Sequence, residues 1–245
     1  SLDYLMPTFE QVKSFISNLS KPEDSVFLLT HIGGIVNPDI KRIADLCKNS
    51  GVSLVEDCAH SLGSTISGEH TGLFGDAGVY SLYATKAIPV GEGGIVVTKD
   101  QELFNLADKF IMYDRFDQKL NVGINFRMSE INALLAFAVI NETESIIENK
   151  YLIANKYIKA CEDFGWSYIN PSTYNQRSNL YKFILLSTSE NPEKDFQNIK
   201  TRTSPVYDYL LGNDTSEIAR RHICLPIWYG LEGSIVDNVV SELCR

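Results

Sequence analysis

The chain has 245 residues, 44% of them hydrophobic, enough to bury a sizeable core as one large domain or two small ones. Its formal net charge of −9 argues against a nucleic-acid partner, because phosphate backbones are held by clustered lysine and arginine. Cys47, Cys58, Cys161, Cys224 and Cys244 are scattered, with no C-x-x-C pair for a metal and no disulfide spacing; this predicts no metal site and reduced thiols in a cytoplasmic protein. No apolar run reaches membrane-spanning length and no charged-then-apolar leader opens the chain, so no membrane association is expected.

In chain order, Thr8-Phe9-Glu10-Gln11 has the form of a capping box and predicts a helix to about residue 18. The run over 25–30 is apolar and too short for a helix, so it reads as a buried strand. Asn37 is placed to cap a helix with Pro38 at its first position, Ile40, Ile43, Ala44 and Cys47 on one face, and Gly51 as its stop. A strand over 53–56 follows. Strand, helix, strand predicts a parallel α/β sheet with its ligand site at the carboxyl ends of the strands, where Asp57 falls. Residues 78–82 and 94–98 read as two further strands flanking a loop that carries Lys86. Asp100 then caps a helix with Leu103, Leu106, Ala107 and Phe110 at helical spacing. From Ser129 to about Asp163 the pattern is helical almost without break, which predicts a passage from a large domain, 1–145, into a smaller α/β domain, 146–245. Within the second, 180–186 reads as a strand, and Ser234 caps a last helix carrying Val236, Val239, Val240 and Leu243.

Chemistry concentrates around Lys86. A lysine in a turn is usually solvated. This one follows Val79-Tyr80 and Leu82-Tyr83 and precedes Ala87-Ile88-Pro89-Val90, surroundings too apolar for a solvated face. Desolvation lowers the pKa of an amine from about 10.4 and exposes the neutral form that attacks a carbonyl carbon. Gly91-Glu92-Gly93-Gly94 lets the backbone approach a ligand closely. Asp57 at a strand end either caps the following turn or offers a carboxylate to a pyridine nitrogen. His60 lies three residues on, and Ser81 sits on the run leading to Lys86. A lone histidine is more often a core residue than a catalytic one, so His60 stands about even between the two. Asn125 and Arg127 precede Ser129, which has the look of a helix cap.

Asp57-x-x-His60, Ser81-x-x-x-x-Lys86, Gly91-Glu92-Gly93-Gly94 and Asn125-Phe126-Arg127-Met128-Ser129-Glu130, in this order, resemble the DegT/DnrJ/StrS aminotransferases. The resemblance implies the fold type I architecture of pyridoxal phosphate enzymes: a three-layer, mainly parallel α/β sheet plus a smaller C-terminal α/β domain. It implies pyridoxal 5'-phosphate held covalently by Lys86, which is also the catalytic proton carrier. Asp57 becomes the partner of the pyridinium nitrogen, Ser81 a phosphate ligand, and His60 a cofactor-binding residue near the ring. Asn125 reaches the phosphate of a neighbouring subunit, so that a homodimer with a composite site is implied, and Arg127 and His31, in the loop His31-Ile32-Gly33-Gly34, are assigned to the substrate. The reaction implied is transfer of an amino group from an amino acid such as glutamate to a keto group of a nucleotide-linked deoxy sugar, in cell-surface polysaccharide biosynthesis. Relatives with histidine in place of the lysine are dehydratases, and Lys86 argues against that branch. The glycine/threonine phosphate turn and stacking aromatic that open such proteins are not found before His31, so the sequence reads as the later part of one. The alternative is a non-catalytic fragment or regulatory relative.

Overall fold

The computed structural model describes residues 3–112, 123–207 and 219–244. Helix α1 (Phe9–Ser17) starts as its sequence predicts: the Thr8 hydroxyl accepts from Gln11 N–H while the Gln11 side chain accepts from Thr8 N–H. Strand β1 (Val26–Thr30) runs parallel to β2 (Ser53–Asp57), joined by α2 (Ile40–Ser50). Gly51 ends α2 in the left-handed region at φ 74°. The start of α2 differs from expectation. Asn37 and Pro38 lie outside it, and the Asn37 side chain instead accepts from Asp39 N–H at 2.9 Å in a turn that feeds Ile40.

Strand β5 (Ala77–Ser81) adds to β2 in parallel, and β6 (Gly94–Thr98) pairs with β5 antiparallel, giving the order β1-β2-β5-β6. The antiparallel last strand follows from the short excursion between β5 and β6, which carries no crossover helix. Between β2 and β5 lie β3 (Thr65–Ile66) and β4 (Glu69–His70), and β3 also pairs with β8 (Gln176–Arg177). On one face of the four-stranded sheet Leu29 and Leu54 pack with Val12 and Ile16 of α1 and Ile40 and Ile43 of α2. The other face leaves Val26 and Leu28 of β1, Val79 of β5 and Val96 of β6 exposed, so the burial expected for the first strand holds on one side only.

Asp100 caps α3 (Gln101–Met112) by accepting from the N–H groups of Glu102 and Leu103. The long helical run is two helices, α4 (Glu130–Ile140), capped by Ser129, and α5 (Thr143–Phe164), with Asn141 and Glu142 between them. A second sheet has the order β10-β9-β7, built from β7 (Ser167–Tyr168), β9 (Phe183–Leu186) and β10 (His222–Leu225). Its core joins Tyr157 of α5, Phe183, Leu225 and Val239 of the last long helix. Strand β9 begins at Phe183 rather than at residue 180, because Leu180 sits at φ 52° in a turn. After the short α6 (Pro192–Asp195), the last helix is α7 (Gly233–Leu243). Ser234 is inside it and bonds back to Glu232, so it does not cap it.

Candidate active site

Strand alternation sorts the residues around the site. Asp57 is in register with Val79, and Ser81 lies two residues further along β5, so Asp57 and Ser81 share the exposed face of the sheet while Glu56 projects to the other. The Asp57 carboxylate accepts from the Thr30 hydroxyl at 3.1 Å and from Ala59 N–H at 3.0 Å, which fixes it at the strand end. Ser81 Oγ accepts from Tyr83 N–H at 3.3 Å.

The loop bearing Lys86 is built as a tight return. Leu82 N–H donates to Gly93, Ala84 N–H to Gly91 and Val90 N–H to Leu82. Gly93 has φ 152°, and a Cβ there would stand 2.6 Å from Met128 Cε, so the glycine lets the segment before α4 seat against the loop. Asn132 Nδ2 donates to the Glu92 carbonyl at 2.7 Å from the same side. The Gly91–Gly94 turn and the Arg127–Glu130 stretch, read separately in the sequence, are thus one contact.

Lys86 is half-buried. Burial holds its amine below the ordinary lysine range, Lys182 pushes the same way, and the Asp57 carboxylate pulls back up. Its Nζ stands 5.3 Å from the centre of the Tyr181 ring. The same ring lies against His60, centroids 4.3 Å apart, and His60 Nδ1 accepts from Gly33 N–H at 3.3 Å. Burial drives the His60 ring down to about 4, assisted by the charges of Lys86 and Lys182 and opposed by Asp57, so the imidazole is neutral at pH 7. Lys86, Asp57 and His60 therefore form one electrostatic cluster, with Ser81 on the same face. The donor set fits pyridoxal phosphate: a partly desolvated amine for its aldehyde, and an anchored carboxylate beside it for its ring nitrogen.

One expected residue lies apart from this cluster. His31 is fully buried; Nδ1 accepts from Asn37 N–H at 3.2 Å and Nε2 donates to Glu56 at 3.0 Å. Neither ring nitrogen remains for a substrate, which corrects its expected role. The Arg127 guanidinium donates to the Ile111 carbonyl of α3 at 3.1 Å, and Asn125 is exposed.

The chain belongs to the DegT/DnrJ/EryC1/StrS aminotransferase family. The family model matches residues 2–244. The chain is similar to the GDP-perosamine synthase of Vibrio cholerae, 26% identical over 98% of this chain and 69% of the relative. It is also similar to that of Escherichia coli O157:H7, 34% identical over 49% of this chain and 34% of the relative. The crystal structure of an aminotransferase, TlmJ, from Streptoalloteichus hindustanus superposes with a TM-score of 0.84 at 23% identity, covering 99% of this chain and 70% of that one, and so shows the fold. The family's aminotransferases depend on pyridoxal phosphate.

Within this family member, the sequence gives no sign of Tyr181, whose ring lies against His60 and 5.3 Å from Lys86 Nζ. Nothing near Lys86 in the sequence points to it, since the turn at Leu180 delivers it from far along the chain. Thr30 was within reach, because it ends β1 where Asp57 ends β2 and the two are in register.

Proposed function

We propose that this chain carries the pyridoxal phosphate site of a nucleotide-sugar aminotransferase, which moves an amino group from an amino acid, glutamate in the first instance, to a keto group of a nucleotide-linked deoxy sugar. The observation that carries the reading is the half-buried Lys86 amine, its pKa held down, beside the anchored Asp57 carboxylate. The cofactor, when bound, supplies the electron sink for the carbanion generated at the substrate carbon. Lys86 Nζ holds the cofactor and, once released from it, takes and returns the proton that must move during transfer, for which a lowered pKa suits it. Asp57 keeps the pyridine nitrogen protonated. His60, neutral at pH 7, packs beside the ring without adding charge. Ser81 is assigned to the phosphate.

The relatives named above as GDP-perosamine synthases support the nucleotide-sugar substrate class. The exposed Asn125 suits the composite site of a homodimer, in which it serves the neighbouring subunit. A cytoplasmic setting and the division into 1–145 and 146–245 belong to the same reading. Reduction with borohydride in the presence of pyridoxal phosphate should fix the label on Lys86, located by peptide mapping; label on another lysine, or none on folded protein, overturns the assignment.

A second reading, cofactor binding without turnover, is favoured by the apolar strip Val26, Leu28, Val79 and Val96, which stays exposed on the face that bears Asp57. It is separated from the first by titrating this chain with cofactor: weak, readily displaced binding fits an incomplete site, and stoichiometric binding with transamination fits a self-sufficient one.

A further inference from the structure

A cavity of about 590 Å³ opens beside Lys86, and its lining contains a second lysine. Lys150, on α5, is 2% exposed, and its ammonium donates to the Asn179 carbonyl at 3.0 Å. An ammonium has three donors, and this carbonyl occupies one. Among the described residues no aspartate or glutamate lines the cavity, whose other walls include the rings of Tyr181, Trp228 and Tyr229 and the small residues Ala84 and Ala87. A buried cation is expensive unless something of opposite charge meets it. Among the described residues that line the cavity, the two charged ones, Lys86 and Lys150, are both cationic.

We propose that Lys150 is the anion-binding residue of this cavity, receiving a carboxylate or phosphate oxygen of a ligand whose remaining body packs on the aromatic wall. The inference rests on the sugar-aminotransferase reading only for its choice of probes, since both the carboxylate of an amino-acid donor and the diphosphate of a nucleotide sugar have the required chemistry. Burial alone pushes the Lys150 amine down to about 7. Among the described residues, the titratable groups that line the cavity with it are Lys86 from the loop after β5, Tyr181 from the turn before β9, and Tyr229 from the segment before α7. Glu148 and Tyr151, on its own helix, line a different groove. An anion therefore binds the protonated amine and holds the proton there, so affinity falls by about tenfold per pH unit above 7 until the amine of the complex itself titrates.

The test is calorimetric titration of the full chain with L-glutamate, UDP and inorganic phosphate, each separately. At least one should bind. Glutamate alone marks a carboxylate site; UDP or phosphate marks a phosphate site. Lys150→Met should weaken that ligand at least tenfold, and Lys150→Arg should keep it within about threefold, because the charge is retained. No binding by any probe, or equal binding to wild type and a folded Lys150→Met, overturns the inference. Should Lys150→Met fail to fold, the pH series in Lys86→Gln decides: affinity falling above pH 7 supports the site, and a flat profile from pH 6 to 9 overturns it. None of these measurements needs cofactor, so failure here is distinct from failure of the trapping experiment at Lys86.

Discussion

Two neighbouring carboxylates on β2 have opposite fates. Glu56 projects to the side packed by α1 and α2, is fully buried, and accepts from four donors: His31 Nε2 and the N–H groups of Gly72, Phe74 and Gly75. Asp57, one residue on, emerges on the opposite face with two local donors and the ammonium of Lys86 nearby. The histidines divide in the same way, His31 bonded at both ring nitrogens within the interior and His60 stacked on Tyr181 beside Lys86. A polar group whose valences are all used by the protein fixes the fold. One anchored but left with capacity is where a ligand can be met.

The largest expected effect tests the structural side. Glu56→Ala removes the acceptor shared by His31 Nε2 and the amides of Gly72, Phe74 and Gly75 and should cost about 3–5 kcal/mol in urea unfolding, a large part of the roughly 5–15 kcal/mol available to a domain. Asp57→Asn can keep both local contacts, so it should cost no more than about 1 kcal/mol while abolishing tight cofactor binding. Equal stability losses at the two positions would erase the distinction drawn here.

A smaller effect sharpens it through pH. Burial pushes the Glu56 carboxyl up, but the His31 bond and charge and the Gly75 and Gly72 amides outweigh it and leave the pKa below the ordinary value. Because the folded pKa is the lower one, the contribution is complete above the unfolded value of about 4.3 and is lost as pH falls through the folded pKa. Urea midpoints should therefore drop steeply below about pH 4.5. In Glu56→Gln that part of the slope should vanish, and an unchanged slope would show that other carboxylates carry it.

Local chemistry was legible where it decides structure locally. The capping box at Thr8, the Gly51 stop, the Asp100 cap and the strand over 94–98 are all set by residues within a turn of each other. The cluster of Asp57, His60 and Lys86 was legible because strand ends and their loops converge at one edge of an α/β sheet. What was not legible depends on distant partners. His31 sits one residue past β1, where a ligand contact and a buried bond to Glu56 look alike until the Gly72–Gly75 loop is seen to close over it. Tyr181 and Lys150 reach the site from β9's approach and from α5, and no periodicity announces which way a side chain on such an element will meet a loop far earlier in the chain. The misplaced caps at Asn37 and Ser234 share a cause: both residues can satisfy a nearby backbone or side-chain group without starting the helix.

The smallest effect ranks the causes acting at His60. Its ring is driven to about 4 first by burial and then by the charge of Lys86. Between about pH 6.5 and 4 the unfolded chain binds a proton that the folded chain refuses, so this group makes stability fall as pH falls. Tyr181→Ala removes the ring lying against it and should raise the midpoint by the larger step; Lys86→Met removes only a neighbouring charge and should raise it by less. Histidine side-chain NMR titration reads both. A larger rise in Lys86→Met than in Tyr181→Ala would show that charge, rather than burial under the tyrosine, sets the state of His60. The site would then be held together chiefly by its electrostatics, and the anchored but open character assigned to it would have to rest on Asp57 alone.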